Sequence, residues 1–581
     1  MALLLSHHGI DSVLLERHTE PSSHPAAHVI STRTVEIMRQ LGLEYPLRSL
    51  GTPIDQLRNI VYATSLAGPE LGRITLIDPE SPEARDLEAI SPTRAVNLPQ
   101  NMLETLLWER LREHPRIDFR PGTTYQGHYH HYDGVNNRVV TRHRDADGIT
   151  CHIKARFLIG ADGAGSQVRR YSGISLEGPL LQHVIGVHFT ADLGHLLWNK
   201  PSPVIWTHTA GGVGTLIVHR SPTEFVFQFP YFPPAQAASD FTEAVCRAKI
   251  ASAIGERTTD IDIHAIRSWA MTAQVADTFH IQRCFLIGDA AHRFPPTGGL
   301  GLNTGVHDAH NLAWKLAWTL HNIAPAHLLD TYTTERRPVA LRNTVHSVHN
   351  IDGTRAVLTT LGLPRRGTDT LDRLAQSRVV AALPRRIGSA AISTLITLGS
   401  QRLRLAALRC WPGTRIRARA AAAIAGQGGH YRSWGLDLGM QYRDGFFAGE
   451  PDSDGDSSIE TYTPAIAVGA RLPHAWIASA HGRISTLDIL AADTLTLIVA
   501  VARSQPWITA VRRSGYPVSV RAVEITDPLF VGLSGGTALL VRPDGHLAEI
   551  LHADGDTQPH SLASAMTRLG LAPKESYVNA R

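Results

Sequence analysis

Cysteine is scarce in this sequence. Cys151, Cys246, Cys284 and Cys410 are the only four in 581 residues, and no C-x-x-C occurs. That spacing excludes a disulfide framework and a clustered zinc module, and it fits a reducing, cytosolic setting. An excess of one charge is also lacking. Lys+Arg 56 against Asp+Glu 52 leaves a net +4, without a dense basic block. Nucleic acid is therefore not an expected partner. No uninterrupted apolar run reaches the about 18 residues a membrane helix needs, so no membrane association is expected. "MALLL" has no basic start and its apolar run stops at Ser6, which argues against a signal peptide. At 581 residues the chain exceeds one hydrophobic core, and about two to four domains are expected.

What is present reads as α/β. "MALLLSHH" has the character of a helix, Gly9 of a turn, and "SVLLER" of a strand ending on Glu16. That is the second half of a nucleotide-binding βαβ unit. "STRTVEIMRQLGL" reads as a helix capped by Ser31 or Thr32 and stopped at Gly42. "LPQNMLETLLWERLREHP" is amphipathic, with Leu103, Leu106, Leu107 and Leu111 in one stripe behind Pro99. Three strand-like runs follow, joined by Asp133-Gly134 and Asp147-Gly148, both strong hairpin signals. Residues 180–270 stay strand-rich, residues 340–425 are helical in character, and "AGEPDSDGDSSIETYTP" reads as a linker. From about 465 onward the pattern is α/β again.

The most informative stretch is "FLIGDAAHRFPPTGGLGLNTGVHDAHNLAWKL", residues 285–316. A buried strand delivers Gly288 and Asp289 to its carboxyl end, where α/β folds bind ligands. Then comes a Pro- and Gly-rich loop and a helix start near Leu302 and Asn303, whose free N–H groups favour partial negative charge. Gly298, Gly299 and Gly301 let the backbone approach a flat ring closely. Asp289 can accept hydrogen bonds from a chain of hydroxyls.

This stretch resembles the second flavin motif of the class A FAD-dependent aromatic hydroxylases, the p-hydroxybenzoate hydroxylase-like family. The resemblance implies that Asp289 contacts the ribityl chain and that Pro296 lies near the reactive edge of the flavin. It implies that Gly288 and the Gly298, Gly299, Gly301, Leu302 and Asn303 segment surround the ring. "FLIGADGAGSQVRR", residues 157–170, is similar to the family's Asp-Gly motif, carried here by Asp162, Gly163 and Ser166. Gln100 in "PQNMLETLL" and Arg33 in "STRTVEIMRQLGL" match further flavin-contacting positions. Glu16, with Arg17 beside it, takes the place of an acid that binds adenosine ribose hydroxyls. "LLDTYTTERRPVA", residues 328–340, also fits the family pattern, as scaffold.

The family's opening strand and G-x-G-x-x-G turn, which carry the FAD pyrophosphate, have no counterpart here. By the resemblance, roughly fifteen to twenty residues would precede Met1. The C-terminal region is similar to the thioredoxin-like domain of the phenol hydroxylases and aromatic polyketide hydroxylases. Having no cysteine after Cys410, it cannot perform dithiol chemistry.

The expected architecture is a Rossmann-like FAD domain (1–175 and 276–350, with part of 51–90 in the substrate domain) interleaved with a substrate-binding β-sheet domain (176–275). A helical segment (351–430) and a thioredoxin-like C-terminal domain (431–581) complete it. The activity the resemblance implies is FAD-dependent monooxygenation of a phenolic or polycyclic aromatic, with NADPH or NADH and O₂ as co-substrates, through a flavin C4a-hydroperoxide. Such chemistry rests on the cofactor, so no Ser/His/Asp or paired-carboxylate set is needed, and no acid/base residue is assigned. Two other readings stand: a truncated, FAD-deficient remnant, and a related flavoenzyme such as a non-hydroxylating oxidase. The W-x-W-x-I-P signature of flavin halogenases is absent. A cytoplasmic location is expected, and a homodimer is compatible with the sequence. Histidine is abundant, with 31 residues. "HYHHYD" puts His128 and His130 on one strand face, but no third ligand is evident, so the pair reads as a surface hairpin and no metal is expected.

Overall fold

The structure is a computed structural model. It describes the chain apart from residues 54–55, 77–86, 133, 135–136, 210–211, 257–259, 363–372, 378–386, 388–393, 395–400, 409, 451–457, 480–481, 553–557 and 574–581. Helix α1 (Ala2–His7) buries Leu4 and Leu5, Gly9 turns the chain at φ +76°, and strand β1 (Ser12–Glu16) follows. Helix α2 (Thr32–Gln40) is capped by the Ser31 hydroxyl, which accepts the Thr34 N–H, and it stops at Gly42, φ +71°. Strands β2 (Asn59–Ala63) and β3 (Glu70–Thr75) leave for a larger sheet. Helix α3 (Gln100–Glu113) starts behind Pro99 and buries Leu103, Leu106, Trp108 and Leu111. It returns the chain to β4 (Ile117–Pro121), parallel to β1. An antiparallel meander follows: β5 (Thr124–Tyr132), β6 (Asn137–Arg144) and β7 (Thr150–Ala155). Its second turn has Gly148 at φ +83°, with the Asp145 carboxylate accepting the Asp147 and Ile149 N–H groups. Asp133, read as part of the first turn, lies outside the described residues.

Strand β8 (Leu158–Gly160) and helix α4 (Gln167–Tyr171) lead into β9 (Leu180–Thr190), β10 (Val204–Thr209), β11 (Gly212–Arg220), β12 (Glu224–Tyr231), helix α5 (Glu243–Ile254) and β13 (Asp262–Thr272). A seven-stranded sheet results, in the order β13-β9-β12-β11-β10-β2-β3. Only β10 and β2 pair in parallel within it. The two-residue period of a strand sorts β2 onto both faces. Val61 and Ala63 join a core with Phe225, Phe227 and Ile250 of α5, while Ile60 and Tyr62 face the helical side.

Strand β14 (Cys284–Leu286) pairs in parallel with β8. Among the described residues no strand bridges β1 and β8, so the parallel strands form two short sheets instead of one. Long helices α6 (Leu300–Leu320) and α7 (Thr331–Thr360) follow, then α8 (Trp411–Ala425), which packs with α7 on Ile60, Tyr62 and Leu71. The C-terminal unit has β15 (Leu495–Ala500), helix α9 (Ser504–Ser514), β16 (Val518–Val523), β17 (Ala538–Val541), β18 (Leu547–Leu551) and helix α10 (Gln558–Arg568). Its sheet runs β16-β15-β17-β18, parallel between β15 and β16 and antiparallel elsewhere. Leu495, Leu497 and Val499 pack one face against Trp314 and Trp318 of α6. Among the described residues no helix is long and apolar enough to cross a membrane.

Candidate active site

The fully buried strand β14 ends at Gly288 and Asp289. Asp308 of α6 fixes that end: one carboxylate oxygen accepts the Gly288 N–H (3.1 Å) and a His292 Nε2 contact (2.6 Å), and the other accepts Arg336 Nε–H (2.8 Å). Burial alone would push the Asp308 carboxyl up. The His292 and Arg336 charges overcome it and hold the group at about 2. Gly305 lets α6 approach this turn, since a Cβ there would lie 3.1 Å from Gly288 Cα. Asp289 then lines a cavity and makes no side-chain hydrogen bond among the described residues. Desolvation raises its pKa, against the pull of His292 and Arg293.

The Pro296–Gly299 loop is tied to α7. Thr297 Oγ1 donates to the Ser347 carbonyl (2.7 Å), and a Cβ on Gly298 would meet Asn350 Nδ2 at 3.2 Å. Gly298 and Gly299 adopt φ +98° and +65°, which side-chain-bearing residues avoid. Gly299 is the N-cap of α6, and no side chain caps this 21-residue helix. Its first N–H groups are therefore free for a ligand.

One cavity of about 1940 Å³ joins these features. Gln100, Gly163, Gly288, Asp289, Pro296, Gly298, Gly299, Gly301 and Leu302 all line it, as does Leu14 of β1. Five residues expected at the cofactor do not line it, each for a visible reason. Arg33 is buried and donates to Glu36 (2.9 Å) and the Asp544 carbonyl (2.7 Å). Asp162 caps α4, accepting from the Ser166 hydroxyl (2.5 Å) and the Gln167 (2.6 Å) and Val168 (3.0 Å) amides. Asn303 staples the helix start, donating to the Gly299 and Val29 carbonyls and accepting the Ser31 N–H. Glu16 accepts the His18 N–H (2.8 Å), and Arg17 bonds the His18 ring (3.1 Å). Gln100 reaches the cavity while bridging the Ala27 N–H and Glu104.

The cavity continues over the seven-stranded sheet, where Trp206, Phe227, Phe229 and Trp269 form its wall. Tyr431 closes it from the helical side. Its hydroxyl accepts Trp206 Nε1–H (2.7 Å) and meets the Tyr62 hydroxyl (3.1 Å). Burial raises both tyrosines. His430 stacks on Tyr431 with centroids 4.0 Å apart; burial lowers its pKa to about 3, and its buried Nδ1 has no hydrogen-bond partner among the described residues. Arg293 also lines the cavity, donating to Gln274 (3.3 Å), and its Nε has no partner among the described residues. Sequence reasoning missed these residues because positions 62, 206 and 431 meet only in the folded chain, Arg293 reaches the cavity from another segment, and they carry no common motif.

Comparison with known proteins agrees with this geometry. Residues 1–347 match the FAD binding domain family, and residues 465–573 match the aromatic-ring hydroxylase C-terminal family. A 2,4-dichlorophenol 6-monooxygenase of Delftia acidovorans is 32% identical over 87% of this chain and 83% of its own. A tetracenomycin B2 monooxygenase-dioxygenase of Streptomyces olivaceus is 29% identical over 98% and 96%. The crystal structure of the flavin-dependent monooxygenase PieE with FAD and substrate superposes with TM-score 0.82 at 29% identity, covering 98% of this chain and 96% of that one. These likenesses favour a hydroxylase over the remnant and oxidase readings. Since the FAD-binding match spans more than half of the residues and the ring-hydroxylase match falls on the C-terminal unit, the chain belongs to the FAD-dependent aromatic-ring hydroxylases, and it is a flavin monooxygenase.

Proposed function

We propose that this monooxygenase hydroxylates a phenolic or polycyclic aromatic compound, drawing reducing equivalents from NADPH or NADH and oxygen from O₂. The carrying observation is the single cavity of about 1940 Å³ that runs from Asp289 and the α6 N-terminus to an aromatic wall. An ordinary ligand pocket is about 300–1,000 Å³, so this one has room for a cofactor and a large ring system together. The names of the relatives include a chlorinated phenol and a tetracenomycin.

The residues present suit FAD at the flavin end. Asp289 offers an unpaired carboxylate to hydroxyl donors, and the uncapped α6 start offers N–H donors to ring carbonyls. FAD supplies the oxygen-transfer chemistry when bound. The chain does the rest: Pro296 to Leu302 shape the ring site, the Trp206–Phe229 wall orients the substrate, and the apolar lining keeps water out. His430 is held neutral by burial and stacks on Tyr431, so it supports the helical side of the cavity without adding charge. The four unpaired cysteines fit a cytoplasmic location.

The test follows NAD(P)H oxidation, oxygen uptake and peroxide across a panel of phenols and polycyclic quinones. An aromatic substrate is expected to speed NAD(P)H oxidation and to gain one oxygen atom from ¹⁸O₂. Label arriving from water, or no stimulation by any aromatic, would overturn the reading.

A further inference from the structure

We propose that His128, His130 and Cys284 form a binding site for a zinc-class divalent cation, outside the catalytic cavity. The strand period puts His128 and His130 on one face of β5. The fold brings to that face the first residue of β14, Cys284, which no sequence spacing could signal. One ligand atom from each of the three residues lies within 4.8 Å of the others, and His128 Nε2 is 3.3 Å from Cys284 Sγ. Nitrogen at about 2.0–2.1 Å and sulfur at about 2.3 Å from one tetrahedral zinc stand about 3.3–3.8 Å apart. The pair is therefore already near its coordination spacing.

A second feature points the same way. The Tyr125 hydroxyl lies 2.6 Å from His128 Nδ1. That bond orients the ring and leaves Nε2 directed at the thiol, as outer-sphere partners of metal-bound histidines do. Burial lowers the pKa of both imidazoles, with His130 acting further on His128 and Arg283 on His130. Both rings are therefore in the neutral, ligating form. Burial lifts the Cys284 thiol to about 11, so binding must displace its proton: Cys–SH plus M²⁺ gives Cys–S–M⁺ plus H⁺. The thiolate cancels one cation charge, which matters beside Arg283 and its neighbours Arg138 and Arg156. His130 is exposed and Cys284 buried; the cation can enter from solvent and keep water in its fourth position. Bound there, it would clamp the β5–β7 meander to the strand that presents Gly288 and Asp289.

The experiment uses the full chain, reduced and stripped with a chelator, then titrated with Co²⁺. One equivalent should bind with a thiolate-to-cobalt charge-transfer band, and Zn²⁺ should displace it. Cys284→Ser and His130→Gln should each abolish the band. His130→Gln carries the test if the buried Cys284 variant folds poorly. Tyr125→Phe should weaken binding about 10–100-fold. Zn²⁺ should raise the melting temperature of the parent but not of His130→Gln. Absence of the band, or a band that survives His130→Gln, would overturn the proposal. So would a band that depends on Cys151 or Cys410.

Discussion

Replacing Arg542 by leucine should loosen the C-terminal unit more than any other single change there. Arg542 is fully buried and grips Glu335 with both terminal nitrogens (2.9 and 2.8 Å) and Asp544 through Nε (3.0 Å). Its guanidinium also lies over Trp314, Tyr442 and Phe447 at 4.9–5.3 Å. Lys315 pairs with the same Glu335 at 2.8 Å. The two cations thus balance two anions inside the junction between α6, α7 and the β17–β18 turn. Arg542→Leu leaves Glu335 and Asp544 sharing one cation out of water. Breaking a buried pair this way costs about 3–5 kcal/mol. At a slope of about 3 kcal/mol/M, the urea midpoint should fall by about 1–2 M. Trp314 donates to Asp544 at 3.1 Å, so tryptophan fluorescence reports directly on the junction. Arg542→Lys should lie between parent and leucine, because it keeps the charge but not the two-pronged geometry. Combining Arg542→Leu with Glu335→Gln restores charge balance through Lys315 and Asp544, and should recover part of the loss. A leucine variant within about 0.3 M of the parent, or a double variant no better than the sum of its singles, would refute the reasoning.

Other consequences follow from the same geometry. Asp289→Ala should weaken FAD binding about 10–100-fold, from about 1–3 kcal/mol of lost hydrogen bonding, while far-UV circular dichroism stays unchanged; equal affinity by flavin fluorescence titration would remove Asp289 from the site. His430→Ala should lower the oxidation rate of phenols more than it lowers FAD content, because Tyr431 loses the ring it stacks on; an unchanged rate would remove His430 from the cavity wall. Acidification should destabilise the fold. Burial holds His208 and His546 at about 4 against the ordinary 6.5, so the unfolded chain binds more protons between those values. Their stabilising contribution is complete above pH 6.5, reaches up to about 3 kcal/mol each, and is lost as the pH falls toward 4. Asp437, raised to about 6 by burial, works the other way and offsets about one imidazole. Urea midpoints equal at pH 7.5 and pH 5 would contradict this balance.

What the sequence disclosed was local: a strand, a special loop and a helix start lying next to each other in the chain. Residues 285–302 were readable because Asp289, the glycines and the α6 N-terminus are neighbours in the chain and line one cavity where they stand. Arg33, Asp162 and Asn303 stand off the cavity for a shared reason. Each has a polar side chain at a helix start, and such a side chain can serve either a ligand or its own backbone. For Asp162 and Asn303 the backbone won, and for Arg33 the competitor was Glu36 with the C-terminal unit's Asp544. Contacts between distant segments left no periodic trace, as with Tyr62, Trp206 and Tyr431 at the cavity, or Cys284 beside His128. Helix α6 shows why those contacts matter to function. Its N-terminus opens on the cavity, Asp308 one face along holds Gly288 in place, and Asn311, Trp314 and Lys315 reach Asp544 and Glu335. One helix therefore carries contacts both to the turn at Gly288 and to the buried charges of the C-terminal unit, which is why residues far apart in the sequence share one rigid support.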